Sequence, residues 1–321
     1  MIVCRPSSPP PAPARQSAPS IVGRAMRDDF AVVSSHYNFA GFSAPRRNLH
    51  RWQRQMARDR VRTYGTELVL AGQTPQTAGW PGWRQIAVGP ASVLSQKEAL
   101  VNAAVCRLPR GIGMFAEVDA DLQFDEADWI DRTIAMLQLH PCGQPFAEAV
   151  WTGHEGEVEL VRASAAAAGF GTSPWLGHPG FSWAFRRDFF KAVDGWYDAA
   201  ILGGADLLWS LSVLGGDIDP VAAAVRVGLG AEPDGYLAHH ARVRECLGGH
   251  RPGHAEGRVW HEYHGSRSDR RYGQRPQIME GLVPSRHLRH RADGVLEWTP
   301  KAPAEMRERV AGYFASRKED A

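Results

Sequence analysis

The stretch Met114-Phe115-Ala116-Glu117-Val118-Asp119-Ala120-Asp121 is the part of the chain that decides its expected fold. Met114–Val118 is a short apolar run of the kind that a buried parallel strand needs. The run ends in two carboxylates one residue apart, and in open α/β sheets ligands bind at the carboxyl ends of the strands. A carboxylate pair at such a position can hold a hard divalent cation against a diphosphate.

Outward from this stretch, short apolar runs alternate with longer amphipathic segments, which is the pattern of βαβ units. It predicts an α/β fold, Rossmann-like, with a mixed, mainly parallel sheet flanked by helices. Further strands are expected at residues 30–35, 67–71, 85–88 and 146–152, and helices at 46–58, 95–108, 125–139, 206–214 and 303–317. The glycines and aromatic residues between 169 and 197 favour loops that pack a ligand.

Length and composition set the class of protein. The 321 residues suffice for one large domain or two small ones, and the net charge of +2 gives no reason to expect nucleic acid as a ligand. The cysteines lack CxxC spacing and are expected to be reduced thiols; they are Cys4, Cys106, Cys142 and Cys246. No uncharged apolar run approaches the roughly 18 residues of a membrane helix. We therefore expect a soluble, cytoplasmic protein without a transmembrane segment, and peripheral membrane association stays open.

The chain divides into three parts by composition. Residues 1–27 contain six prolines, four arginines and no acid, which predicts a disordered leader. A start site assigned too far upstream explains this leader better than a transit peptide does. Residues 28–275 are expected to form the main domain, and residues 276–321 a C-terminal extension that ends in a helix.

Two later motifs join the acidic pair: Gly203-Gly204-Ala205-Asp206 and His261-Glu262-Tyr263-His264-Gly265. With these motifs in this order, the chain resembles the family 2-type glycosyltransferases with the GT-A fold, over roughly residues 30–275. Asp119-Ala120-Asp121 is similar to the family's DxD metal motif, and the glycine-rich motif resembles the one that supplies the catalytic base. The last motif resembles the late histidine of galactosyltransferase-like members. The chain departs from the family at Ala205, where a second acid is usual.

The resemblance implies roles for these residues. Asp121 and His264 are expected to hold a divalent cation, Mn²⁺ or Mg²⁺, and Asp119 to contact the ribose or water around the cation. Asp206 is the expected base of an inverting displacement. Structural alternatives remain at each position: the acidic pair could cap the helix beginning near Asp125, Asp206 could be the N-cap of its own helix, and His264 could be a structural histidine.

Other residues are weaker candidates. The expected contacts to the donor nucleotide are Ser35, Tyr37, Asn38, Lys97, Asn102, Arg267 and Arg271. Trp183, Trp196 and Tyr197 offer flat faces for an acceptor sugar, although core packing explains any one tryptophan equally well. An exposed helical lysine such as Lys97 usually contributes nothing.

The expected function is the metal-dependent transfer of a sugar from a nucleotide sugar, most simply a UDP-sugar, to a carbohydrate or glycoconjugate. One alternative is a protein on the same fold that binds a nucleotide sugar or a glycan without turnover, which Ala205 favours. A nucleotidyltransferase is a second alternative, although no Gly-rich phosphate loop follows the first strand. A hydrolytic zinc site at His250 and His254 is a third, but no glutamate lies between them as that motif requires.

Overall fold

The computed structural model describes residues 27–168, 177–216, 218–266 and 268–320, so the expected leader lies almost wholly outside the described residues. The first half of the chain contains β1 (Phe30–Tyr37), α1 (Ser43–Arg58), β2 (Thr63–Leu70), β3 (Trp83–Val88), α2 (Lys97–Cys106), β4 (Met114–Val118), β5 (Leu122–Phe124), α3 (Trp129–Leu139), β6 (Cys142–Gln144), β7 (Glu148–Thr152) and β8 (Val158–Ala163). The second half contains α4 (Ala165–Ala168), β9 (Ser182–Arg186), α5 (Arg187–Ala192), α6 (Ala205–Leu214), α7 (Pro220–Arg226), α8 (Asp234–Leu247), β10 (Gly253–His254), β11 (Arg258–His261), α9 (Arg275–Ile278), α10 (Pro284–His287), β12 (Leu288–His290), β13 (Leu296–Trp298) and α11 (Ala304–Ala315).

Three sheets are formed. The central sheet has seven strands in the order β10-β6-β9-β4-β1-β2-β3, a smaller sheet has the order β5-β11-β7-β8, and β12 pairs with β13. Strand β1 runs parallel to β2 and β4, and β3 continues the parallel part beside β2. Strand β9 is antiparallel to β4 and β6. The expectation of an α/β fold with a mixed, mainly parallel sheet is therefore confirmed.

Helices cover both faces of the central sheet, which explains why β1 and β4 are apolar runs without alternation. On one face, Phe30 and Val32 of β1 pack with side chains of α1 and α3. On the other face, Ala31 and Val33 pack with side chains of α2, α6 and α8. Strand β4 is buried along its whole length up to Val118, so the acidic pair that follows lies at the edge of the sheet.

Some elements differ from their expected positions. Strand β4 has its predicted bounds, whereas α3 begins at Trp129, after the acids of 125–128. The glycine-rich middle segment contains β9, which pairs with β4 over Met114–Val118 and is buried along most of its length. Such a strand was not expected there, because its pairing depends on residues far away along the chain. Helix α8 was not predicted either.

The C-terminal segment packs against the rest of the chain. Leu288, Leu296, Val310 and Phe314 belong to the same apolar cluster as Leu208 of α6. In the part of the chain that the structure describes, no helix is both long and apolar enough to span a membrane. Cys106, Cys142 and Cys246 are free thiols, as expected.

Candidate functional site

The end of β4 places the acidic pair in a tight turn. The backbone N–H of Asp119 donates to the carbonyl of Phe181 at 3.0 Å, and that of Leu122 donates to the carbonyl of Asp119 at 3.2 Å. Strand β5 then begins at Leu122. Both carboxylates thus lie at the carboxyl end of a buried strand, where the sequence predicted them.

Asp121 lies beside two histidines from the late motif. Its Oδ2 is 2.8 Å from Nε2 of His264 and 3.6 Å from Nε2 of His261. The ligand atoms of these three side chains all lie within 4.8 Å of one another. The pairing of β11 with β5 brings His261 opposite Leu122, which explains how it reaches Asp121. His261 was missed as a candidate ligand, although it belongs to the quoted motif.

These residues fit a divalent metal ion. Oδ1 of Asp121 is buried and has no hydrogen-bond partner among the described residues, so the carboxylate has an oxygen to offer. Burial would raise the pKa of Asp121, but His261, His264 and Arg270 together hold it well below its usual range. Burial lowers the pKa of His261 to about 3, against the pull of Asp121. A neutral imidazole and an ionised carboxylate are the forms that bind metal.

Asp119 is paired with a lysine instead of joining these ligands. Nζ of Lys97 lies 2.6 Å from Oδ1 of Asp119 and 3.2 Å from Oε1 of Glu117. The Lys97 side chain is 19% exposed. It is therefore not a solvated helical lysine, and neither acid caps α3. The structural alternative, in which the acidic pair caps this helix, is therefore wrong.

A cavity of about 570 Å³ lies beside this cluster. The predicted residues that line it are Tyr37, Lys97, Asp119 and Asp206. The other polar residues that line it include Glu98, Arg162, Arg226, His261, Arg270 and Arg275. The cavity is thus lined by His261, which is one of the three candidate metal ligands, by the candidate base Asp206 and by several cationic side chains.

Asp206 lies in the first turn of α6. Gly204, in the left-handed conformation with φ of 101°, occupies the N-cap position, so the structural alternative that Asp206 is the N-cap is wrong. One oxygen of Asp206 accepts from the N–H of Leu207 at 2.9 Å. The other lies against Gly180, where a Cβ would come within 2.4 Å of it. The Asp206 carboxylate is therefore closely fitted into the cavity wall.

The expected donor contacts lie in different places. Tyr37 lines the cavity and its hydroxyl is 3.0 Å from that of Ser95, whereas Ser35 and Asn38 do not line it. Asn38 closes a turn with the backbone of Phe42. Arg267 lies outside the described residues.

Two more donor candidates do not line the cavity. The amide of Asn102 binds both the N–H and the carbonyl of Trp196, each at 2.9 Å. Arg271 is exposed and does not line the cavity. Its neighbour Arg270 does line it and lies against the imidazole of His264.

The tryptophans expected to stack on an acceptor are core residues. Trp183 is 1% exposed and Trp196 is 4% exposed, and both pack on Trp209. Neither presents an open face to a sugar ring, which corrects that expectation. Tyr197 is half-buried and does not line the cavity. The aromatic side chains that do line it are Tyr37, Trp151, Phe181, Tyr263 and Tyr272.

A zinc site at His250 and His254 finds no support. Within the described ranges, Asp121, His261 and His264 are the one group of three metal-ligating side chains whose ligand atoms converge. His254 pairs with Glu256 at 3.5 Å.

No protein-family model matches the chain, and no curated protein matches it in sequence. The solved structures that are similar to parts of it include the following three. A mannosyltransferase from Pyrobaculum calidifontis in complex with GDP-Man and Mn²⁺ is 12% identical, with 90% of this chain and 69% of that chain covered and a TM-score of 0.40. A mutant of Drosophila β1,4-galactosyltransferase 7 with manganese, UDP-Gal and xylobiose is 14% identical, with 57% and 60% covered and a TM-score of 0.29.

The third structure is 4-diphosphocytidyl-2C-methyl-D-erythritol synthase from Anaerococcus prevotii. It is 9% identical, with 72% of this chain and 90% of that chain covered and a TM-score of 0.35. Because identities and TM-scores are low in all three cases, only the geometry of the site itself can indicate a function.

Proposed function

We propose that this protein is a metal-dependent glycosyltransferase of the family 2 type that moves a sugar from a UDP-sugar to a carbohydrate or glycoconjugate acceptor. One observation supports this most strongly. Asp121, His261 and His264 converge with a buried, unpartnered carboxylate oxygen, at the edge of a cavity that also holds Asp206. A cation site and a carboxylate base beside one cavity are what this reaction needs.

The three converging residues would hold the cation. Two imidazoles and one carboxylate suit Mn²⁺ better than Mg²⁺, because Mg²⁺ strongly prefers oxygen ligands. When bound, the cation supplies a Lewis acid that offsets the charge developing on the leaving diphosphate.

Cationic side chains of the cavity would bind the diphosphate. Arg270 and Arg275 line the cavity, and their guanidinium groups can make charge-assisted hydrogen bonds to phosphate oxygens. Lys97 fixes the carboxylate of Asp119 at 2.6 Å. Asp119 held in this way is our candidate for the ribose contact.

Asp206 would act on the acceptor. Its carboxylate accepts the proton of the acceptor hydroxyl while the hydroxyl oxygen bonds to the anomeric carbon and the bond from that carbon to the diphosphate breaks. This single displacement inverts the anomeric configuration and releases UDP. The lack of a Cβ at Gly180 leaves room for this carboxylate, which supports the proposed role.

Calorimetric titration with UDP, with and without Mn²⁺, tests the donor site. We expect Mn²⁺-dependent binding that is lost in Asp121→Ala and kept in Asp125→Ala, an exposed acid that directly follows β5. Unchanged binding in Asp121→Ala would refute the cation site.

A second measurement tests transfer. Asp206→Asn should keep UDP binding and lose sugar transfer from UDP-sugars to oligosaccharide acceptors. Transfer at the wild-type rate would refute the base assignment. Nucleotide binding without transfer in the wild type would favour the alternative of a non-catalytic binding protein, the reading that Ala205 supports.

A further inference from the structure

The last described residues of the chain lie beside the candidate metal ligands. After α11 ends at Ala315, the tail, defined here as residues 316–320, returns to the start of α1. The carboxylate of Asp320 accepts hydrogen bonds there from the N–H groups of Ser43 and Ala44, at 2.9 and 2.7 Å. The tail is therefore fastened at its far end to a helix N-terminus.

The tail also lies directly against the late histidine motif. Gly265 has φ of 87°, and a Cβ on it would come within 2.9 Å of the carbonyl oxygen of Lys318 and 3.0 Å of Cα of Glu319. Only a glycine after His264 allows this approach without a shift of the tail. The close contact brings Glu319 beside His264.

Glu319 contacts the ring nitrogen of His264 that faces away from Asp121. Its Oε1 is 3.5 Å from Nδ1 of His264, whereas Nε2 of the same ring is 2.8 Å from Asp121. Glu319 is 8% exposed and also pairs with Arg317 at 2.5 Å. Nη2 of Arg270 lies 3.0 Å from the same Nδ1 and 2.5 Å from Nε2 of the ring, but a guanidinium can only donate. Among the described contacts of Nδ1, Glu319 thus supplies the acceptor.

We propose that Glu319 is a positioning residue for the metal site: its carboxylate accepts the Nδ1–H of His264 and thereby points Nε2 at the cation. This inference rests on the proposed cation site of Asp121, His261 and His264. Histidines that bind metals usually donate their other ring N–H to a carboxylate or carbonyl, and loss of that partner weakens metal binding by about 10–100-fold. The tail is then part of the proposed cation site.

The test is Mn²⁺ binding to the full chain without nucleotide, followed by the electron paramagnetic resonance of free Mn²⁺. Glu319→Ala should weaken binding about 10–100-fold. Glu319→Gln should recover part of it, because the amide oxygen still accepts from Nδ1–H. Asp320→Asn, which loosens the tail without touching His264, should change binding far less.

A spectroscopic readout separates positioning from simple support of the fold. With Co²⁺ as the probe, the visible absorption bands report the ligand arrangement, and we expect them to shift in Glu319→Ala but not in Asp320→Asn. Wild-type Mn²⁺ affinity and an unchanged Co²⁺ spectrum in Glu319→Ala would overturn the inference alone. Equal losses in Asp320→Asn and Glu319→Ala would also overturn it, because tail docking would then be the cause. Failure of the wild type to bind Mn²⁺ would overturn the cation site itself.

Discussion

Replacing Lys97 with Met tests whether this lysine balances two carboxylates in the interior. Nζ of Lys97 lies 3.2 Å from Glu117 and 2.6 Å from Asp119. The Glu117 side chain is 2% exposed, and its Oε2 has no hydrogen-bond partner among the described residues. Methionine keeps most of the side-chain volume but removes the charge, so Glu117 would be left buried without a counterion.

The expected cost follows from this burial. Removing one partner of a buried ion pair destabilises a protein by about 3–5 kcal/mol. Burial already raises the pKa of Glu117 well above its usual range, against the pull of Lys97, and the pKa of Asp119 is raised for the same reason. Without Lys97 both pKa values should rise further. The folded state then holds protons that the unfolded state releases, so the loss of stability grows as the pH rises.

Urea unfolding at about pH 5 and about pH 8 measures this cost. We expect Lys97→Met to lose about 3–5 kcal/mol at the higher pH and clearly less at the lower pH. Lys97→Met combined with Glu117→Gln should recover part of the loss, because the buried charge is gone. Lys191→Met, an exposed lysine of α5, is the matched control. A change within about 0.5 kcal/mol for Lys97→Met at both pH values, as at an ordinary surface site, would refute the reasoning.

Three further predictions concern the surroundings of the cavity. Burial raises the pKa of Glu98 to about 7, so the folded state binds this proton more tightly than the unfolded state, and stability falls as the pH rises from about 4.5 to about 7. In urea unfolding, Glu98→Gln should therefore be more stable than the wild type by up to about 3 kcal/mol at about pH 8 and equally stable at about pH 4. Parallel pH profiles of the two proteins would contradict this. Asn102→Ala should lower the stability measured by thermal unfolding by about 2–3 kcal/mol, because two hydrogen bonds to the backbone of Trp196 are lost, and UDP affinity should stay unchanged. Weaker UDP binding at full stability would instead indicate a contact between Asn102 and the nucleotide. Gly180→Ala should slow sugar transfer by at least about tenfold without changing Mn²⁺-dependent UDP binding. The new Cβ would lie 2.4 Å from Oδ2 of Asp206, so the carboxylate has to move. An unchanged transfer rate would show that the exact position of this carboxylate is not critical.

Local pattern was enough for the elements nearest the sheet centre. Strand β4 has its predicted bounds because a strand buried on both faces is a continuous apolar run, and its acidic pair lies at the carboxyl end as expected. Helix α6 begins one residue before its predicted start, at Ala205. Features of this kind depend on neighbours along the chain, and these are visible in a single sequence.

The pairing between distant segments could not be predicted from the local sequence pattern. Strand β9 was missed because the segment around it is rich in glycine, and because its antiparallel pairing with β4 depends on residues far away along the chain. Trp183 and Trp196 could be either stacking surfaces or core residues, and only the packing around Trp209 decides for the core. Lys97 looks like a solvated lysine until Glu117 and Asp119 are placed beside it.

His261 shows this limit within the candidate site itself. The late motif contains both histidines, and the resemblance singled out His264; no local pattern tells which of the two faces Asp121. The answer depends on β11, which pairs with β5 on one side and β7 on the other and so brings His261 opposite Leu122. A register shifted by one residue would turn the His261 side chain to the opposite face of the sheet. Strand register therefore specifies the second imidazole of the proposed cation site, and this register depends on β5, β7 and β11 together.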